Sequence, residues 1–144
     1  MIVVIQRVTN ASVKVEGKMI SSIKNGMLIL LGISSDDSKE DIIKMTNKIS
    51  KLRIFNDENN IMNKNVNEVN GEVLVVSQFT LYGNVKKGNR PSYIDAARPD
   101  IAKPIYNLFI KRLDSLIDNK IQKGIFGAYM EVDIVNDGPV TLIV

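Results

Sequence analysis

The chain opens on a β-branched run over residues 2–8 that contains Gln6 and Arg7, a pattern that predicts a strand. Residues 12–20 alternate apolar and polar positions about Gly17, which predicts a hairpin. Residues 27–33 follow Asn25-Gly26 and are continuously apolar, as in a strand buried on both faces. An arginine among such strands needs a partner, for structure or for function. Ser34-Ser35-Asp36-Asp37 then offers N-cap candidates for a helix with Ile42, Met45, Ile49 and Leu52 on its apolar face and Lys39, Lys44, Lys48 and Lys51 on the wet one. Extended structure resumes at Arg53-Ile54-Phe55, and an Asn-rich stretch from Asn56 to Asn70 reads as a polar surface loop. A strong strand is predicted over residues 72–81, opened by Gly71, and a loop over residues 83–91 carries Lys86, Lys87 and Arg90. A second helix begins near Pro99-Asp100, aligns Ile101, Ile105, Leu108, Phe109, Leu113 and Leu116, and is expected to hold Pro104 in its first turn. Strands follow at residues 121–123, 126–135 and 140–144, the last two joined by a turn at Asn136-Asp137-Gly138-Pro139. The pattern describes an α+β fold, a mainly antiparallel β-sheet or small barrel covered by two helices, in one domain spanning residues 1–144.

Composition narrows the chemistry. The chain has 144 residues and contains neither cysteine nor histidine. Thiol nucleophiles, thiolate zinc sites, iron–sulfur clusters and disulfides are therefore excluded, as are Ser-His-Asp and Cys-His triads. Catalysis by this chain would have to use carboxylates, hydroxyls, lysine, backbone donors or the substrate itself. No metal site and no cofactor is expected, because no carboxylate cluster has recognisable ligand spacing. The net charge of +3 permits a polyanionic partner without requiring one. No apolar run approaches the ~18 residues that span a bilayer, and the N-terminus has no signal-peptide pattern, so a cytoplasmic protein without membrane contact is expected.

Two segments interrupt the apolar pattern. Ser77-Gln78-Phe79-Thr80 ends an otherwise buried strand, and its polar groups need partners, either local ones at a strand end or a ligand. Asn136-Asp137-Gly138-Pro139-Val140-Thr141 reads as a tight turn, whose X-Pro bond has an elevated chance of being cis. Neither segment alone names a substrate.

In combination the motifs carry a resemblance. Gln6-Arg7-Val8, Leu52-Arg53-Ile54-Phe55, Ser77-Gln78-Phe79-Thr80-Leu81-Tyr82, Lys87-Gly88-Asn89-Arg90-Pro91-Ser92, Phe126-Gly127-Ala128 and Asn136-Asp137-Gly138-Pro139-Val140-Thr141 occur in this order from end to end of the chain. Together they resemble the D-aminoacyl-tRNA deacylase family. Tyr129 stands where a smaller acidic residue is expected, and Asn89 where a basic one is more usual. The resemblance implies hydrolysis of the ester between a D-amino acid and the 3′-terminal adenosine of tRNA. It also implies a homodimer with cross-subunit active sites. Ser77, Gln78, Phe79 and Thr80 would be the catalytic set of one subunit, and Gly138 and Pro139 would reach over from the other through a cis bond whose carbonyls face the aminoacyl pocket. Arg7 would hold that turn by hydrogen bonds to its backbone, and Met130 and Asn136 would join the substrate-binding set.

Without histidine or cysteine, preorganised backbone donors are the expected stabilisers of the oxyanion, with the N–H groups of Gln78 and Phe79 as candidates. Two sources of the attack stay open. The substrate's own ribose hydroxyl can activate water, as the resemblance suggests, or Thr80 can act as nucleophile. The first is favoured because Thr80 has no histidine to take its proton. Carbonyls placed where an L side chain must go would reject every L residue larger than hydrogen, leaving glycyl-tRNA open to cleavage. The competing reading is a non-catalytic nucleic-acid-binding dimer on the same scaffold.

Overall fold

The computed structural model describes residues 1–144 and is built on one long strand, β1 (Ile2–Val15). The hairpin partner β2 (Lys18–Ile23) and the apolar strand β3 (Gly26–Gly32) follow it. Helix α1 (Lys39–Ser50), the short ribbon β4 (Phe55–Asn56) and β5 (Met62–Lys64), and strand β6 (Glu72–Ser77) come next. Helix α2 (Pro99–Asp114), β7 (Gln122–Lys123) and the long β8 (Glu131–Ile143) complete the chain.

β1 is paired along both edges. One edge takes β3 against residues 2–8 and β2 against residues 11–15, while the other takes β8. These pairs are antiparallel, as the pattern implied, but β3–β6 and β6–β7 are parallel. α1 lies in the β3–β6 crossover, and α2 in the β6–β7 crossover. The mostly apolar β3 is buried on both faces. Met27, Ile29 and Leu31 join Tyr106, Phe109 and Leu113 of α2 and Ile42 and Ile49 of α1 in the larger core cluster. Leu28 faces a second cluster with Leu74, Val76, Val8, Ala11 and Val13, where the sheet curls over itself.

Several boundaries fall elsewhere than the pattern suggested. The helix α1 is capped by Ser38, not by residues 34–37, through a reciprocal capping box with Asp41. The bonds from the Ser38 hydroxyl and N–H hold the Asp41 carboxyl below its ordinary range. The core face of α2 is Ala102, Tyr106, Phe109 and Leu113, while Ile101 and Leu108 are exposed. Pro104 sits inside that helix, past its first turn, where the missing N–H leaves one bond unmade. The Asn-rich stretch is only partly surface loop: it carries β5 and buries Val66, and Asn67 binds the Leu116 carbonyl beyond the end of α2 at 2.9 Å.

Two differences bear on the candidate site. The strand expected over residues 72–81 stops at Ser77, and Phe79–Tyr82 is a 3₁₀ turn. The turn expected at residues 136–139 is no hairpin, because both flanking segments pair with the same strand. Val8 faces Asn136 and Gln6 faces Thr141, so the residues between them form a bulge in β8. A strand starting at residue 126 is also not observed; β8 begins at Glu131.

Candidate functional site

The bulge is held from three sides. Val140 N–H donates to Asn136 Oδ1 at 3.0 Å, closing the loop across its base. Asn136 Nδ2 and Gln6 Nε2 each donate to Thr141 Oγ1 at 3.3 Å, tying the far end of the bulge to its start and to β1. Below it lies Arg7, 7% exposed. Arg7 Nη1 donates to the Ile54 carbonyl at 2.8 Å and to Asn56 Oδ1 at 3.1 Å. Its Nε lies 2.9 Å from Asp137 Oδ2, but the N–H is not aimed at that oxygen, so the contact is an ion pair without a hydrogen bond. The arginine thus grips the bulge through the Asp137 side chain, and its hydrogen bonds go to residues 54 and 56 instead of the bulge backbone. The Leu52-Arg53-Ile54-Phe55 motif is explained by this: it delivers the carbonyl that receives Arg7 between two buried apolar side chains.

Gly138 follows Asp137 with φ 120°, and the Gly138-Pro139 peptide bond is cis. A Cβ at Gly138 would come within 2.8 Å of Val140 Cγ2, 3.0 Å of Val140 N and 3.2 Å of Arg7 Nη2. Only glycine meets both the dihedral and the space. Gly138 and Pro139 themselves are exposed at the crest.

The second group is looser. Gln78 N–H donates to Leu31 O at 2.8 Å, extending the β3–β6 ladder one residue past the strand. It is therefore committed to the sheet, and the expectation that it helps to hold an oxyanion is corrected. Phe79 and Thr80 begin the 3₁₀ turn, so their N–H groups have no acceptor within it, and no side chain caps the turn. Gln78 Nε2 donates to Thr80 Oγ1. Phe79 and Thr80 are exposed, and the Phe79 ring meets Tyr93 edge-on with centroids 5.1 Å apart. Nearby, Asn84 and Ser92 exchange backbone bonds of 2.8 and 2.9 Å, closing the loop that presents Lys86, Lys87 and Arg90 to solvent. Burial pushes the Tyr82 phenol above its ordinary value. Met130 is half-buried against the second core cluster, close enough to Gly124 that a Cβ there would meet its sulfur at 2.6 Å.

The two groups do not meet within one chain. Ser77 lies level with Leu31 and Val3, whereas Arg7 lies level with Met27 and Val73. That offset of four residues is ~13 Å along the strands, at about 3.3 Å per residue. No hydrogen bond or ion pair joins residues 77–80 to residues 136–141.

Residues 4–144 match the family model described as D-Tyr-tRNA(Tyr) deacylase. A "D-aminoacyl-tRNA deacylase" of Flavobacterium johnsoniae is 55% identical over 141 residues, covering 98% of this chain and 94% of its own. One of the same description from Thermosipho africanus is 55% identical over 140 residues, covering 97% and 93%. Among solved structures, "c-Myc DNA Unwinding Element Binding Protein" superposes with a TM-score of 0.95 at 44% identity, covering 100% of this chain and 97% of that one. A "probable eukaryotic D-amino acid tRNA deacylase" superposes with a TM-score of 0.85 at 17% identity, covering 99% and 97%, and so shares the fold. The fold and the ordered motifs thus define a hydrolase class. The chain belongs to the D-aminoacyl-tRNA deacylase family, and is an enzyme of that class.

Proposed function

We propose that residues 1–144 act as one unit that frees tRNA of D-amino acids, as a cytoplasmic homodimer whose active sites lie between subunits. The observation that carries the reading is the separation of the two polar groups within one chain, each open to solvent. A second copy is what would set the partner subunit's Gly138 and the partner subunit's Pro139 against the turn at residues 77–80. The free edge of β8 supports it: Val135 is 51% exposed and Ile143 77% exposed, an apolar edge that a partner would cover. No helix is long and apolar enough to cross a membrane.

In this reading the terminal adenosine lies over the turn, and the N–H groups of Phe79 and Thr80 receive the oxyanion of the tetrahedral intermediate. Water attacks the ester carbon with the ribose 2′-hydroxyl as its activator. Thr80, whose hydroxyl is already bonded by Gln78, positions the ester. The carbonyls of the partner's bulge occupy the space that an L side chain needs, so D-aminoacyl esters enter and glycyl esters are not rejected. Arg7, Asn136 and Asp137 keep the bulge in shape, and Met130 backs the wall beside Gly124. No metal takes part.

The test is a time course of D-tyrosyl-tRNA against L-tyrosyl-tRNA with purified protein. The D ester should vanish while the L ester follows the uncatalysed rate; equal background hydrolysis of both would remove the reading. A second reading, a nucleic-acid-binding dimer without catalysis, is favoured by the name of the 44% identical solved structure, a DNA unwinding element binding protein. It predicts tRNA retention with both esters intact.

A further inference from the structure

A second surface lies beside the candidate site, and the chemistry above makes no use of it. α2 runs antiparallel to β6: Ala97 N–H binds the Ile33 carbonyl near the Ser77 end, while Asn119 binds the Gly71 carbonyl at the opposite end. Between α2 and β7 runs an open groove of about 550 Å³, lined by Asn107, Lys111, Asp114, Lys120 and Lys123 among others. Lys103 stands one helical turn before Asn107, so Lys103, Asn107 and Lys111 form a row leading toward the Ser77 end.

These four lysines are exposed, and none forms an ion pair. The groove's one carboxylate is occupied: Asp114 Oδ1 accepts the Ile121 N–H at 3.1 Å, which fixes the connection that sets Lys120 and Lys123 opposite Lys111. Lys123 pairs with Val75, two residues before Ser77 on the adjacent strand. Its Cα is therefore ~8 Å from that of Ser77, from one strand spacing and two residue rises. A row of unpaired cations with no aromatic platform among them suits phosphodiesters and reads no base.

We propose that the α2–β7 groove seats the sugar-phosphate backbone of the tRNA acceptor arm, and so aims the aminoacyl end at residues 77–80. This rests on the deacylase reading above. Lys111, Lys120 and Lys123 bind by charge alone, independent of sequence, and their contribution weakens as salt rises.

The experiment compares wild type, a groove variant (Lys111→Ala, Lys120→Ala, Lys123→Ala) and a charge-matched control (Lys18→Ala, Lys39→Ala, Lys51→Ala). The substrates are D-tyrosyl-tRNA and D-tyrosyl-adenosine, which has no backbone phosphates. The groove variant should raise KM for the tRNA at least tenfold at low salt with kcat nearly unchanged, and flatten log(kcat/KM) against log[salt] by about 2.7 units for three phosphates. Its rate on D-tyrosyl-adenosine, and the control variant's rate on both, should match wild type. A groove variant with wild-type KM and salt slope overturns the proposal alone, as does an equal loss on D-tyrosyl-adenosine or in the control. Wild type inert on both substrates overturns the deacylase reading, and the proposal with it.

Discussion

The bulge at residues 136–141 and the turn at residues 77–82 both interrupt strands with polar residues, yet they are held in opposite ways. Arg7, Asp137, Asn136, Gln6 and Thr141 engage one another around the bulge, and its glycine has no room for a side chain. The turn is anchored by the Gln78 N–H and carries one side-chain bond, leaving Phe79 and Thr80 open. One is a finished shape with its crest presented outward. The other leaves the N–H groups of Phe79 and Thr80 without acceptors. A surface that rejects by shape must be stiff, because a yielding wall accommodates the wrong partner. A surface that receives must keep donors free until the substrate supplies the acceptor.

Breaking the stiff side should have the largest effect. Arg7→Leu removes two charge-assisted hydrogen bonds and leaves the buried Ile54 carbonyl without a donor, and should cost about 3 kcal/mol in urea denaturation. D-tyrosyl-tRNA hydrolysis should fall with it. Gly138→Ala forces a Cβ against Val140 and Arg7 at φ 120° and should cost about 2 kcal/mol. Here activity should drop more than stability, since the crest itself moves; full activity would show that the bulge crest is no part of the site.

The support behind the turn can be tested by pH. Tyr106 donates its hydroxyl to the Val75 carbonyl at 3.0 Å, two residues before Ser77, and burial pushes its phenol far above the ordinary value. A pKa raised in the folded state gives stability that is complete below the unfolded value of ~10 and is lost as pH rises above it. Wild type should therefore lose about 1.4 kcal/mol per pH unit above pH 10 relative to Tyr106→Phe, which has no proton there to lose. At pH 7 the same variant should be about 1 kcal/mol less stable than wild type, for the missing hydrogen bond. Parallel stability curves would place the phenol in contact with water.

Thr80→Ala should be the mildest. Loss of one positioning bond is worth ~1 kcal/mol, about fivefold in rate, with no change in melting. A loss of several orders of magnitude would make Thr80 the nucleophile. It would also erase the contrast between a stiff wall and an open receptor.

Order and chemistry were legible in the sequence where they depended on local pattern. β3 announced itself by an unbroken apolar run, and Arg7 by being a cation in a strand. The misread segments depended on distant partners. Residues 78–81 are as strand-like as those before them, and only the Leu31 carbonyl, taking the last ladder bond from Gln78, marks where the strand gives way to the turn. Asp-Gly-Pro carries the signature of a hairpin, but β1 continues past it and holds both flanks, which no local signal reveals. Asn56 and Ile54 as partners of Arg7 were likewise out of reach, because their separations in sequence, 49 and 47 residues, exceed any local pattern.

The pairing of β1 along both edges also sets a timetable. One edge is satisfied early by β2 and β3, but the other waits for β8, and Gln6 meets Thr141 across 135 positions. At about 5–20 residues per second of synthesis, that edge stays bare on the ribosome for roughly ten seconds. A naked strand edge is a template for aggregation, so the nascent protein is most vulnerable while the last strand is still being made. Arg7, too, acquires its ligands in sequence: the Ile54 carbonyl early, the Asp137 carboxylate among the last residues to emerge. The turn at residues 77–80 is therefore complete before the bulge at residues 136–141 exists, and no half-made chain carries both.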